Sequence, residues 1–222
     1  MANIAFSRFP QFRFLPSDEG FPPLLTPAGL SLPRGKITEL YGKGTSGGTT
    51  LLLSALAKAA GEEETCVYID ASDTLDAGSA GGVGVGLHRL LWVRCGGDAP
   101  RALKAADLVL QAGSFGLVVL DLGDVPVQMT RRIPLNYWYR FRRAVEGTRT
   151  IFLVLGQEPN ARQCASLSVE AARSGVVWPR EQRCSRLLAG VSFRLAPRKP
   201  VGARTTLIEA STREPWQPMI AE

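Results

Sequence analysis

Residues 42–49 read Gly42-Lys43-Gly44-Thr45-Ser46-Gly47-Gly48-Thr49, and the fold follows from how this stretch is read. In a loop of the form G-x-x-x-x-G-K-[ST], backbone N–H groups cradle phosphate and the lysine reaches the β/γ-phosphates. Gly42, Gly47 and Thr49 stand at the required places, and Gly48 stands where the lysine belongs. The chain keeps the backbone signal of a nucleotide-binding turn and lacks its main phosphate charge.

The flanks supply the context the loop needs. Before it, residues 36–41 (Lys-Ile-Thr-Glu-Leu-Tyr) alternate and carry the β-branching of a strand. After it, residues 49–60 are rich in Leu and Ala and stop at Gly61, which suits a helix C-cap. Further out, residues 65–70 (Thr-Cys-Val-Tyr-Ile-Asp) read as a second buried strand, and the glycine-rich residues 78–86 as a loop. Residues 90–93 suit a short strand, with His88 on the approach to it. Residues 101–112 suit a helix closing at Gly113, and residues 117–121 an apolar strand ending in Asp121.

Residues 135–146 form a helical pattern with Leu135, Trp138, Phe141 and Val145 on one side and Arg140 and Arg143 opposite. Residues 150–156 follow as a strand. Three more, 166–177, 187–196 and 203–210, come next, the last two joined by a Pro-Arg-Lys-Pro turn. Apolar strands alternating with helices, then a run of strands, predict an α/β fold. Its sheet is mostly parallel, flanked by helices, with an antiparallel C-terminal extension. The divisions are an extended Pro- and Phe-rich N-terminal arm over 1–30, a core over 31–210 and a tail over 211–222.

The 222 residues are enough for one domain with a substantial core. No apolar run approaches the ~18 residues of a membrane span, and residues 1–16 lack a secretory apolar region. Cys66, Cys95, Cys164 and Cys184 are scattered without a C-x-x-C pair, so neither zinc nor a disulfide framework is indicated. A cytoplasmic, reduced protein without membrane contact is the expectation. The net charge of +6 permits contact with DNA or an acidic protein. Its densest stretch holds Arg131, Arg132, Arg140, Arg142, Arg143 and Arg149.

The order of these segments resembles the core of the RecA recombinase family over roughly residues 30–210. Residues 32–42 (Leu-Pro-Arg-Gly-Lys-Ile-Thr-Glu-Leu-Tyr-Gly) resemble the strand entering that family's loop, and residues 66–76 its second strand and catalytic turn. The resemblance places Asp121 at the Walker B aspartate and Gln157 at the glutamine that senses the γ-phosphate. It also places Ser72 where the family carries the glutamate that activates water, and makes the DNA-gripping loop after Gln157 short. With two charges gone, each costing ~10²-fold or more in rate, ATP turnover is not expected.

A compact RecA-like chain with a degenerate loop resembles the ImuA-type accessory proteins of the bacterial SOS translesion mutagenesis cassette; the cell-division inhibitor SulA is a second likeness. The first likeness implies a non-catalytic adaptor that binds RecA and an ImuB-type polymerase-like partner and modulates RecA. It implies no metal, no cofactor, and at most weak ATP and magnesium binding at residues 42–49. Three other readings stand beside it. Lys43 could substitute for the lost lysine, or Asp73 for the glutamate, in a DNA-stimulated ATPase. Arg131, Arg132, Arg140 and Arg143 could contact DNA or a partner. Asp70, Asp73, Asp76 and Asp121 could hold magnesium or serve as caps and turns. Phe12 and Phe14 of the arm and Trp216 of the tail are candidate partner anchors.

Overall fold

The computed structural model describes residues 4–6, 20–177, 190–201 and 205–212. In chain order the elements are β1 (Ile4–Phe6), β2 (Leu24–Leu25), β3 (Ser31–Leu32), β4 (Ile37–Tyr41), α1 (Gly48–Gly61), β5 (Cys66–Asp70) and α2 (Ala77–Gly82). There follow β6 (Leu90–Arg94), α3 (Ala99–Ala112), β7 (Leu117–Asp121), α4 (Val127–Thr130), α5 (Leu135–Val145), β8 (Ile151–Gly156), β9 (Ala165–Val177), β10 (Gly190–Lys199) and β11 (Thr206–Thr212).

One sheet runs β1-β11-β10-β9-β4-β8-β7-β5-β6. The half from β9 through β4 to β6 is parallel, and from β9 through β10 and β11 to β1 each strand is antiparallel to the next, as the alternation of elements predicts. Strand β8, and β7 up to Asp121, are apolar because both faces are covered. Ile151, Leu153 and Leu155 face α1, while Phe152 and Val154 face α3 and α5. Trp138 and Phe141 of α5 stack edge-on, and Phe141 meets Phe152 in the same way.

The structure departs from several expectations. Residues 24–30, assigned to the arm, are built into the core, with Leu24 and Leu30 fully buried under α1. Residues 77–82 are the short helix α2 and not loop, because the Asp76 side chain accepts from Ser79 N–H and caps its start. His88 lies in a 3₁₀ turn, Leu87–Arg89. Leu135 does not join the buried face of α5; it is about half exposed, since it opens the helix beyond the edge of the packing. Pro197 to Lys199 continue β10 through a bulge against Val169 and Ser168 and do not form the turn. Ser211 and Thr212, placed in the tail, complete β11.

At the end of the sheet opposite the glycine-rich loop, Arg34 ties three segments together. Its guanidinium donates to both carboxylate oxygens of Glu64 (2.8 and 3.3 Å), to the Pro22 carbonyl and to the Arg149 carbonyl. Arg149 adds a second bond to Glu64 at 2.6 Å. Among the described residues no helix is long and apolar enough to cross a membrane.

Candidate functional site

The C-terminal ends of β4, β8, β7 and β5 carry the loop, Gln157, Asp121 and Asp70 to one end of the sheet. In an open α/β sheet this is the end where ligands bind. The loop leaves β4 with the Gly42 N–H donating to the Gly156 carbonyl, and Ser46 N–H closes a turn onto the Lys43 carbonyl. A side chain at position 42 would collide with the Ala171 carbonyl, 2.2 Å from where its Cβ would lie, so glycine is required there. Gly47 takes the left-handed φ of 84° as N-cap of α1, with no side chain capping the helix and no acid in its first turn. These are the features of an anion-accepting helix start.

Side chains of the chain itself fill the space beside the two following glycines. The Phe193 ring of β10 lies 2.2 Å from the Cβ position of Gly47, and Leu155 Cδ1 of β8 lies 2.6 Å from that of Gly48. Lys43, Gly44, Thr45 and Thr49 are exposed, while Ser46 and Gly48 are buried.

Asp121 is buried and engaged. One carboxylate oxygen accepts from Gly123 N–H at 2.8 Å, and the other accepts the Tyr68 hydroxyl. Burial raises the Asp121 pKa despite both bonds, and burial beside Asp121 drives the Tyr68 phenol upward as well. Asp70 takes the N–H groups of Thr74 and Leu75 and the Trp92 indole N–H. Asp73 accepts from Cys95 and Gly96 N–H, 3.0 Å each, and pairs with Arg94 at 3.3 Å. The Gly96 bond leads in holding its carboxyl below the usual range. The four aspartates accept hydrogen bonds at turns, at a helix start and between strands, and Asp73 is bound to the β6 end. Gln157 donates its amide to the carbonyls of Gly123 (2.9 Å) and Val125 (3.3 Å), bracing the segment after β7.

The arginines of the basic stretch divide into two kinds. Arg131 grips Glu158 with two bonds of 2.6 and 2.8 Å, and Arg140 pairs with Asp107. Among the described residues Arg132, Arg142 and Arg143 form no ion pair. A cleft of about 210 Å³ opens between Thr130, Arg131, Ile133, Glu158, Asn160 and Arg162. Phe12, Phe14 and Trp216 lie outside the described residues.

Sequence reading missed Tyr68, Leu155 and Phe193. Tyr68 carried a weak signal, because it sits in the strand whose last residue pairs in register with Asp121. Leu155 was legible only as core, and nothing local marks Phe193.

Comparison with known proteins locates the same segment. A family model described as the RecA N-terminal domain matches residues 26–128. Protein RecA of Gluconacetobacter polyoxogenes is 31% identical over 140 residues, which are 57% of this chain and 40% of that protein. Protein RecA of Leifsonia xyli subsp. xyli is 31% identical over 167 residues, 64% of this chain and 46% of that protein. The mitochondrial DNA repair protein recA homolog 3 of Arabidopsis thaliana is 29% identical over 142 residues, 57% of this chain and 32% of that protein. The chain thus spans less than half the length of these relatives.

Proposed function

Because the chain is a RecA-family relative with the RecA-like α/β fold, we propose that it is a non-catalytic RecA-like adaptor. In this reading it engages RecA and, in SOS-induced translesion synthesis, an ImuB-type polymerase-like partner, and modulates RecA through that contact. The observation that carries the reading is Gly48 at the phosphate-lysine position with Leu155 packed into its side-chain space. Around it, Asp121 is engaged by Tyr68, Gln157 by the 123–125 carbonyls and Asp73 by the β6 end. A scaffold kept intact while its nucleotide-facing groups serve internal bonds is suited to binding other proteins.

The test is capture of purified RecA and of an ImuB-type protein by the purified chain without nucleotide. Capture of either supports the adaptor, and failure with both sinks it.

A second reading rests on Arg132, Arg142 and Arg143, which form no ion pair among the described residues. It makes this face a contact for single-stranded DNA, with affinity falling steeply as salt rises. Arg132→Ala with Arg143→Ala would weaken that binding across all sequences. No detectable binding at low salt would eliminate this reading.

A further inference from the structure

The two glycines at the end of the loop have a packing role that the phosphate motif does not explain. Gly47 faces three atoms of the Phe193 ring, all within 2.6 Å of its Cβ position. Gly48 faces Leu155 Cδ1 at 2.6 Å, a separation real Cβ atoms essentially never show. Leu155 does not end there. Its Cδ2 lies 3.5 Å from the Cβ position of Gly123, in the segment that follows Asp121. One leucine side chain therefore spans from the first turn of α1 to the turn after β7. It is 6% exposed and belongs to the core cluster with Leu51 and Leu153, so it cannot swing aside without disturbing that core.

We propose that Leu155 and Phe193 are built-in occupants of the loop: they hold its shape from within, in place of a nucleotide, and bar any side chain, the phosphate lysine included, from position 48. The proposal rests on the non-catalytic reading and deepens it by naming the residues that exclude the triphosphate. The residues present do not fit magnesium-bound ATP. The one lysine of the loop, Lys43, is exposed, a Cβ at position 48 would meet Leu155 Cδ1 at 2.6 Å, and both oxygens of Asp121 already accept hydrogen bonds. Gly48 has an ordinary φ, so sterics alone govern what it tolerates.

The sign of one substitution separates this packing role from a merely flexible turn. At an open helix start, Gly→Ala stabilises by restricting the unfolded chain. Against Leu155 it overpacks instead. Thermal melts of the full chain are compared for wild type, Gly48→Ala, Leu155→Ala and the double variant. Gly48→Ala is expected to lower Tm by roughly 2–10 °C. In the Leu155→Ala background the same change is expected to be neutral or to raise Tm.

A Gly48→Ala protein as stable as wild type, or an equal loss in both backgrounds, overturns the proposal. If Gly48→Ala does not fold, a cooperative melt recovered by the double variant supports it. A double variant that stays unfolded while Leu155→Ala folds overturns it. Titration of the wild type with a fluorescent ATP analogue and magnesium is the second readout. Absence of saturable binding is expected, and saturable binding overturns the proposal. RecA capture is measured separately, so failure of the adaptor reading and failure of this one are distinguishable.

Discussion

The Tyr68 hydroxyl donates to Oδ2 of Asp121 across the neighbouring strands β5 and β7, with both side chains out of solvent. The carboxylate that would face a magnesium ion in a nucleotide site is here half of a buried pair.

Tyr68→Phe should expose the value of that pair. The ring still packs, but one oxygen of Asp121 is left buried without a donor. A loss of about 1–3 kcal/mol in unfolding free energy is expected from urea titration. An unchanged midpoint would mean the oxygen finds solvent.

Glu39 should make stability depend on pH in an isolable way. It lies in β4, almost fully buried, and accepts the N–H groups of Asn160 and Ala161 and the Ser168 hydroxyl. Burial outweighs those bonds and raises its pKa. The folded protein therefore takes up this proton more readily than the unfolded chain. The resulting stability is full below the ordinary carboxylate pKa and is lost as pH rises through the raised one. Glu39→Gln keeps an acceptor for both N–H groups and removes the titration. The stability of wild type relative to Glu39→Gln should rise as pH is lowered from 7 to 4, and a flat difference would contradict the sign.

Glu64 and Arg149 should differ sharply although they share a hydrogen bond. Glu64→Ala strips the carboxylate from Arg34, a guanidinium whose side chain is only 7% exposed, and should cost about 3 kcal/mol or more. Arg149→Ala removes a side chain that is 59% exposed and should cost under about 1 kcal/mol. Thermal melts of the two variants decide it.

Steady-state phosphate release from ATP should stay at background with and without single-stranded DNA. Lys43→Ala should not change it. Turnover abolished by that substitution would make Lys43 the replacement cation and reverse the reading of the site.

The sheet was legible because continuous apolar runs such as Leu117–Leu120 and Ile151–Leu155, buried on both faces, suit a parallel sheet under helices. The loop was legible because glycine spacing is a local property. Leu135 misled for a physical reason. Helical periodicity gives the direction of a side chain, whereas burial depends on whether a neighbour reaches that far along the helix. In the sequence Asp76 stands between magnesium binding and a cap or turn role, because the glycines after it hide the helix it starts. Phe193 was beyond reach, because its meaning comes from a strand pairing that carries it back across the sheet to residue 47. No spacing rule connects two positions so far apart in the chain.

Strand β4, which leads into the loop, is flanked by β8 and β9, and the partners of Ile37 are Phe152 and Ala165. Both neighbours come from the second half of the chain. During synthesis, then, the first parallel strand of the core must wait with its hydrogen bonds unmatched until residues 152–156 and 165–170 have followed. The sheet's centre is therefore closed by contacts between distant parts of the chain and not by a local hairpin. Such long-range closure is slow, and the waiting segment is where a destabilised variant would be most exposed to aggregation or proteolysis.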